Sequence, residues 1–189
     1  MPPMGHVIAG QTISLDGFVA DSDGSAEPLY PDLAALQGSP YMNAMIEETG
    51  AVVMGRRSFE MPEDPDSLAD SYEFQVPILV VTHRPPQVPP KENGRLRFTF
   101  VTDGVEAAVR QAVEAAGPKS VTVVGGVDII RQAMQADLVD ELRVDVMPVL
   151  LGAGTRFLDD PSLAGLQLEK VAVEEVGDRT SLRFRVLRA

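Results

Sequence analysis

Short runs of Val and Ile, each closed by a turn and separated by helix-length stretches, constrain this chain more than any other feature. Ala51 to Met54 and Ile78 to Val81 are apolar at every position, and Val121 to Val124 departs only at Thr122. A strand apolar on both faces must be covered on both, the condition of a parallel sheet clad with helices. Val7 to Ser14 opens the series and ends at Leu15-Asp16-Gly17, while Arg97 to Val101 and Glu141 to Leu151 (Pro148 near its exit) extend it. Gln167 to Val176 and Ser181 to Leu187 flank Gly177-Asp178-Arg179 and read as an antiparallel hairpin. The expectation is an α/β fold: a mostly parallel sheet of about eight strands, with helices on both faces and a C-terminal hairpin.

The helices fall between these runs. Ser39-Pro40 reads as an N-cap followed by proline in the first turn, with Gly50 closing the helix and Tyr41, Met42, Met45 and Ile46 on one face. Asp103 to Gly117 carries an i, i+3, i+4 stripe of Val and Ala, with Asp103 as cap, Glu106 as its capping-box partner and Gly117-Pro118 as the stop. A further helix follows Gly125-Gly126 through about Ala136. Pro62 to Gln75 and Pro85 to Pro90 read as loops, and residues 1–189 as a single domain.

Composition removes several function classes. The net charge of −12 opposes nucleic-acid binding, which rewards basic faces, so an anionic ligand requires a local Arg cluster. There is no cysteine, which excludes disulfides and thiolate chemistry and fits the cytoplasm. Met1 to His6 lacks the basic region and apolar run of a signal peptide, and no stretch is long enough to span a membrane. His6 and His83 are the only histidines and lie far apart, so no metal site is expected. Asp21 to Glu27 lacks the full spacing of a calcium loop and reads as solvated. Hydrolysis has no G-x-S-x-G context.

Three strand exits carry residues suited to phosphate. Gly125-Gly126 sits between a strand and a helix, where bare backbone N–H groups and the helix dipole make an anion cradle, or simply an ordinary turn. Gly55-Arg56-Arg57-Ser58 places two guanidiniums and a hydroxyl beside a glycine turn, either for bidentate phosphate contact or as a solvated Arg pair. Thr82-His83-Arg84 repeats the theme at a third exit. Open α/β sheets bind ligands at the carboxyl ends of their strands, so the three together favour a nucleotide. Gly152-Ala-Gly154-Thr-Arg-Phe157 mimics a dinucleotide fingerprint, but no βαβ unit follows it. A turn bordering the ligand cleft is the better reading.

Ile13-Ser-Leu-Asp-Gly-Phe-Val-Ala20, Val53-Met-Gly-Arg-Arg-Ser-Phe-Glu60, Val124-Gly-Gly126, Leu138-Val-Asp-Glu-Leu142 and Pro148-Val-Leu-Leu-Gly-Ala-Gly154, in this order, resemble the C-terminal reductase domain of the bacterial riboflavin-biosynthesis deaminase-reductase. That family shares the dihydrofolate reductase fold, and the likeness runs from about Val7 to Val186. It implies NADPH across the carboxyl edge of the sheet, held by Gly55, Arg56, Arg57 and Ser58, by Thr82, His83 and Arg84 beside the 2′-phosphate, and by Gly125, Gly126, Val127, Asp128 and Ile129. It implies a small-molecule substrate beside Gln11, Thr12, Ser14, Tyr41 and Met45, under Leu151 and Gly152. Hydride would pass to a C=N or C=O carbon, with Asp16 orienting the substrate or relaying a proton, or merely capping its turn. The resemblance also implies a homodimer. Two departures accompany it: Ser39 to Met45 holds no carboxylate, where dihydrofolate reductase has a helix acid, and the zinc deaminase signature is absent. A nucleotide-binding module without catalysis is the alternative reading.

Overall fold

A computed structural model of the chain describes residues 5–188. Met1 to Met4, part of the stretch read for a targeting signal, lie outside the described residues. In chain order the elements are β1 (Val7–Ser14), β2 (Phe18–Ala20), α1 (Leu33–Leu36), α2 (Pro40–Glu48), β3 (Thr49–Gly55), α3 (Arg56–Phe59), α4 (Ser67–Ser71), β4 (Ile78–Val81) and β5 (Phe98–Val101). They continue as α5 (Val105–Ala116), β6 (Ser120–Gly125), α6 (Val127–Gln135), β7 (Glu141–Met147), β8 (Thr155–Arg156), β9 (Gln167–Val176) and β10 (Arg179–Leu187). Eight strands form one sheet in the order β5-β4-β3-β6-β1-β7-β10-β9, parallel from β5 to β7. β10 pairs antiparallel with both β7 and β9 as the expected hairpin. β2 and β8 make a separate two-stranded ribbon. No helix is long and apolar enough to cross a membrane among the described residues.

The double burial read from the Val-rich runs divides residue by residue between two cores. Ala51 and Val53 of β3 point toward α5 and α6, where Val105, Ala108, Val109, Ala112, Ile130 and Ala133 cover them. Val52 and Met54 point the other way, into a cluster with Phe59, Leu68, Phe74, Ile78 and Val80. Phe59 meets Phe98 and Phe100 edge-on at 5.4 and 5.3 Å, a favoured aromatic geometry.

Several boundaries differ from the sequence reading, each for a local reason. Ser39 caps α2 through Met42 N–H as expected, but the helix ends before Gly50. Thr49 Oγ1 donates to Met45 C=O at 2.7 Å and meets Thr122 Oγ1 at 2.7 Å, drawing the chain directly into β3. Gly50 is therefore a strand residue, and its glycine is required because a Cβ there would sit 2.6 Å from Ala116 C=O. Asp103 does not cap α5: the N-cap is Gly104 at φ +95°, with no side-chain cap, and Glu106 falls one position too early for a capping box. β7 stops at Met147 rather than Leu151 because Pro148 has no N–H, and Val149 N–H turns back onto Met147 C=O. Pro62 to Gln75 contains the short helix α4, held by Leu68 and Ala69, too few anchors to show a period.

Candidate functional site

Five neighbouring parallel strands, β4, β3, β6, β1 and β7, release their carboxyl ends along one edge of the sheet. That edge gathers Thr82–Arg84, Gly55–Ser58, Gly125–Gly126, Gln11–Asp16 and Leu151–Gly152. The central strand β1 divides them into two halves.

On the β3, β4 and β6 side the backbone is bare. Gly125 has φ +129° and joins Gly126 through a cis peptide. A Cβ on Gly126 would meet nothing within 4 Å, so that backbone is open to an incoming group. A Cβ on Gly125 would lie 3.4 Å from Gln11 Oε1 and 3.7 Å from Ser58 Oγ, which bracket the same turn. Gln11 Oε1 is buried without a hydrogen-bond partner, a state that costs about 1–3 kcal/mol unless a ligand donor relieves it. Gly126 is the N-cap of α6 and supplies no side chain to the helix N–H groups. Gly55 allows this helix to seat, since its Cβ would fall 2.8 Å from Ile129 Cγ1. Ile129 is thereby a buried packing residue and Val127 is half-buried, while Asp128 is exposed and paired with Arg131.

The cations lie beside this turn. Arg56 is exposed and donates from Nε to Glu60 at 2.8 Å, whereas Arg57 and Arg84 make no ion pair among the described residues. Thr82 is buried, and its hydroxyl donates to Arg84 C=O at 2.9 Å, fixing the turn that carries exposed His83 and Arg84. A recess of about 230 Å³ lies between them, lined by Arg56, Phe59, Thr82, Arg84 and Pro85. A larger hollow of about 630 Å³, lined by His6, Glu106, Arg110 and Asp140, sits at the opposite, amino edge of β1, away from every segment that carries the chemistry.

On the β1 and β7 side the carboxylate of Asp16 organises the loops. Oδ1 accepts from Ser14 Oγ at 2.6 Å and from Leu151 N–H at 3.1 Å, and Oδ2 accepts from Gly152 N–H at 2.7 Å. The Ser14 hydroxyl first, then the two backbone donors, pull its pKa down to about 2. Asp16 is thus an anion at neutral pH that ties the β1 turn to the segment after β7.

Behind it lies a polar network that sequence reasoning missed. Register aligns Thr12, Asp145 and Ser181 across β1, β7 and β10. Arg179, 1% exposed, forks onto Asp32 at 2.9 and 3.0 Å and reaches Asp145 at 3.1 Å and Thr12 at 2.7 Å. Its guanidinium lies 5.4 Å from the ring centroid of Tyr30. Tyr41 donates to Asp145 at 2.5 Å, and burial first, then the Asp145 charge, push its hydroxyl above the ordinary phenol range. One row along, Arg143 forks onto Glu48 and donates to Glu141 at 2.6 Å. Met45, by contrast, packs into the apolar cluster under β3. The signal present in the sequence is the alternation of Arg143 and Asp145 against Leu142, Val144 and Val146, which marks one polar face of β7.

An eight-stranded sheet with this order, an antiparallel terminal hairpin and a glycine turn at the carboxyl edge is the dihydrofolate-reductase-like fold. Within that class the chain belongs to the RibD C-terminal domain family, which matches residues 5–182. A provisionally named riboflavin biosynthesis protein of Shewanella sp. PV-4 superposes with a TM-score of 0.74 at 22% identity, covering 97% of this chain and 99% of its own. The diaminohydroxyphosphoribosylaminopyrimidine deaminase/5-amino-6-(5-phosphoribosylamino)uracil reductase of Thermotoga maritima follows at 0.69 and 18%, over 96% of this chain and 56% of that one. Dihydrofolate reductase of Enterococcus faecalis, in complex with NADP(H), aligns at 0.62 and 17%, over 97% of each chain.

Proposed function

We propose that this chain is an NADPH-dependent reductase that reduces a C=N or C=O carbon of a small heterocycle, pterin-like or pyrimidine-like. The observation that carries the reading is the glycine turn at residues 125–126, open on its outer side and facing a buried, unpartnered Gln11 carbonyl. The donor set suits the cofactor: Arg56, Arg57 and Arg84 would hold its phosphates, and Gly125 and Gly126 would let the pyrophosphate approach the backbone above the α6 N–H groups. When bound, NADPH supplies the hydride. The chain supplies position. Asp16 holds Leu151 and Gly152 as a roof over the substrate, and the Tyr41–Asp145 pair fixes the start of α2 at its side.

A nucleotide-binding module without catalysis is the second reading, and one observation favours it. Asp16 is ionised at neutral pH, and Ser39 to Met45 contains no acid to replace it as a proton donor. Titration with NADPH and NADH, followed by melting temperature, tests the cofactor site. NADPH should stabilise the protein, Arg56→Ala should weaken that effect, and Arg84→Ala should narrow the preference over NADH. If neither nucleotide binds at millimolar concentration, the reductase reading fails. NADPH binding without oxidation across a broad carbonyl and heterocycle panel favours the second. Self-association as a homodimer is part of the proposal, consistent with β9, a long and largely exposed edge strand. Sedimentation velocity should give the dimer mass.

A further inference from the structure

Strand alternation separates neighbouring residues of β1. Ala9 and Ile13 pack into the core under α5 and α6, so Gln11 between them points to that face. Thr12 and Ser14 point to the other, where Thr12 meets Arg179 and Ser14 meets Asp16. Ala9 pairs in register with Val123, and two residues farther along each strand Gln11 comes beside Gly125. Gln11 thus borders the glycine turn, with its Oε1 buried and unpartnered.

What can satisfy that oxygen follows from its chemistry. An amide carbonyl only accepts, and a phosphate at neutral pH offers further acceptor oxygens and no hydrogen. The carbonyl therefore adds nothing to a pyrophosphate seated on the turn, which the exposed Arg56, Arg57 and Arg84 and the α6 N–H groups serve instead. Its partner has to be an uncharged O–H or N–H group. Sheet order places that group. Arg84 follows β4, Arg56 and Arg57 follow β3, the turn follows β6 and Gln11 stands on β1, in the order β4-β3-β6-β1. Neighbouring strands are about 4.8 Å apart, so Gln11 lies one strand beyond the turn on the side away from the arginines. In a dinucleotide whose 2′-phosphate end lies at the arginines, the part beyond the pyrophosphate is the nicotinamide riboside. Its ribose hydroxyls and carboxamide N–H groups are uncharged donors.

We propose that Gln11 positions the nicotinamide end of the cofactor, its carbonyl accepting from a ribose hydroxyl or from the carboxamide. This rests on the reductase reading and deepens it. The arginines bind the charged end, while Gln11 orients the half that carries the hydride.

The test compares the full chain with Gln11→Met, which keeps an unbranched stem and removes the acceptor. Without ligand the variant should melt no lower than the parent, because an unpaired buried carbonyl is gone. Calorimetric titration then climbs a ladder of nucleotides: 2′-phospho-ADP, which ends at the pyrophosphate, 2′-phospho-ADP-ribose, which adds the ribose, and NADPH. The variant should bind 2′-phospho-ADP within about twofold of the parent and NADPH at least about fivefold more weakly, the effect of one hydrogen bond. A loss that first appears with 2′-phospho-ADP-ribose assigns the ribose hydroxyl, one confined to NADPH assigns the carboxamide, and both support the proposal. It is overturned if all three ligands weaken equally, if none weakens, or if the free variant melts lower than the parent, which would give the carbonyl a partner within the protein. Failure of the parent to bind NADPH, seen in the preceding titration, overturns the reductase reading instead.

Discussion

Replacing Arg179 by methionine keeps the aliphatic stem and removes the guanidinium at the centre of the polar network. Four hydrogen bonds are lost: two to Asp32, one to Asp145 and one to Thr12. They are not equivalent. The Asp32 side chain retains 19% exposure and lies toward water, so its release costs about 1 kcal/mol. Asp145 retains 11% and is left as a buried carboxylate supported only by Tyr41. Together with the lost donor to the Thr12 hydroxyl, that end accounts for about 3 kcal/mol, within the range for breaking a buried pair from one side. The expected loss is therefore about 4 kcal/mol, or roughly 8–16 °C in Tm for a domain of this size. Urea unfolding should show a lower midpoint with unchanged slope. Adding Asp145→Asn should restore part of the loss, because it removes the uncompensated charge, and the double-mutant cycle should be strongly non-additive. A single mutant within about 1 kcal/mol of the parent, or an additive double mutant, would refute the assignment of a charged, cooperative network.

Two further substitutions probe the loops. Gly154→Ala places a Cβ 2.0 Å from Ala20 C=O at φ +130°, a backbone clash that no rotamer relieves, so thermal melts should show a loss of about 2–4 kcal/mol. Asp16 has a folded pKa of about 2 against an ordinary 3.8, so its contribution to stability is present above about pH 4 and is lost as pH falls toward 2. Asp16→Asn should flatten that part of the acid unfolding profile, and turnover in the parent should show no Asp16 ionisation between about pH 5 and 9. A residual limb of unchanged slope in the variant would assign the acid sensitivity elsewhere.

The strands and their glycine exits were legible because each is specified by neighbours in sequence. Ala51 to Met54 needs only its own apolarity to declare two-sided burial, and Gly125-Gly126 needs only its place after Val124. Caps and ends were less so: moving the α5 cap from Asp103 to Gly104 is one residue in sequence but changes the capping chemistry altogether. The Arg179 network was not legible at all. Its contacts join residues 167 and 147 positions apart, and no local pattern says which carboxylate an arginine will meet. Gly177-Asp178-Arg179 looked like a hairpin turn, and the hairpin is real, yet Arg179 is the first residue of β10 and lies 1% exposed.

Topology converts the order of charges along the chain into their arrangement in space. Because β1 occupies the middle of the sheet, with β6, β3 and β4 on one side and β7 and β10 on the other, segments distant in sequence are sorted by the strand they leave. Arg56, Arg57 and Arg84 leave β3 and β4, so three cations collect on one flank without any pairing between those strands being specified by charge. The turn after β1 and the end of α2 bring Asp16 and Glu48 to the other flank, and β7 and β10 contribute Arg143 and Arg179 into an environment of carboxylates that pairs them. Burial enforces the pairing there, since an unpaired guanidinium at 1% exposure would be far costlier than one in water. The Arg57 and Arg84 side chains, kept exposed at their loop tips, face no such demand and stay available to a ligand.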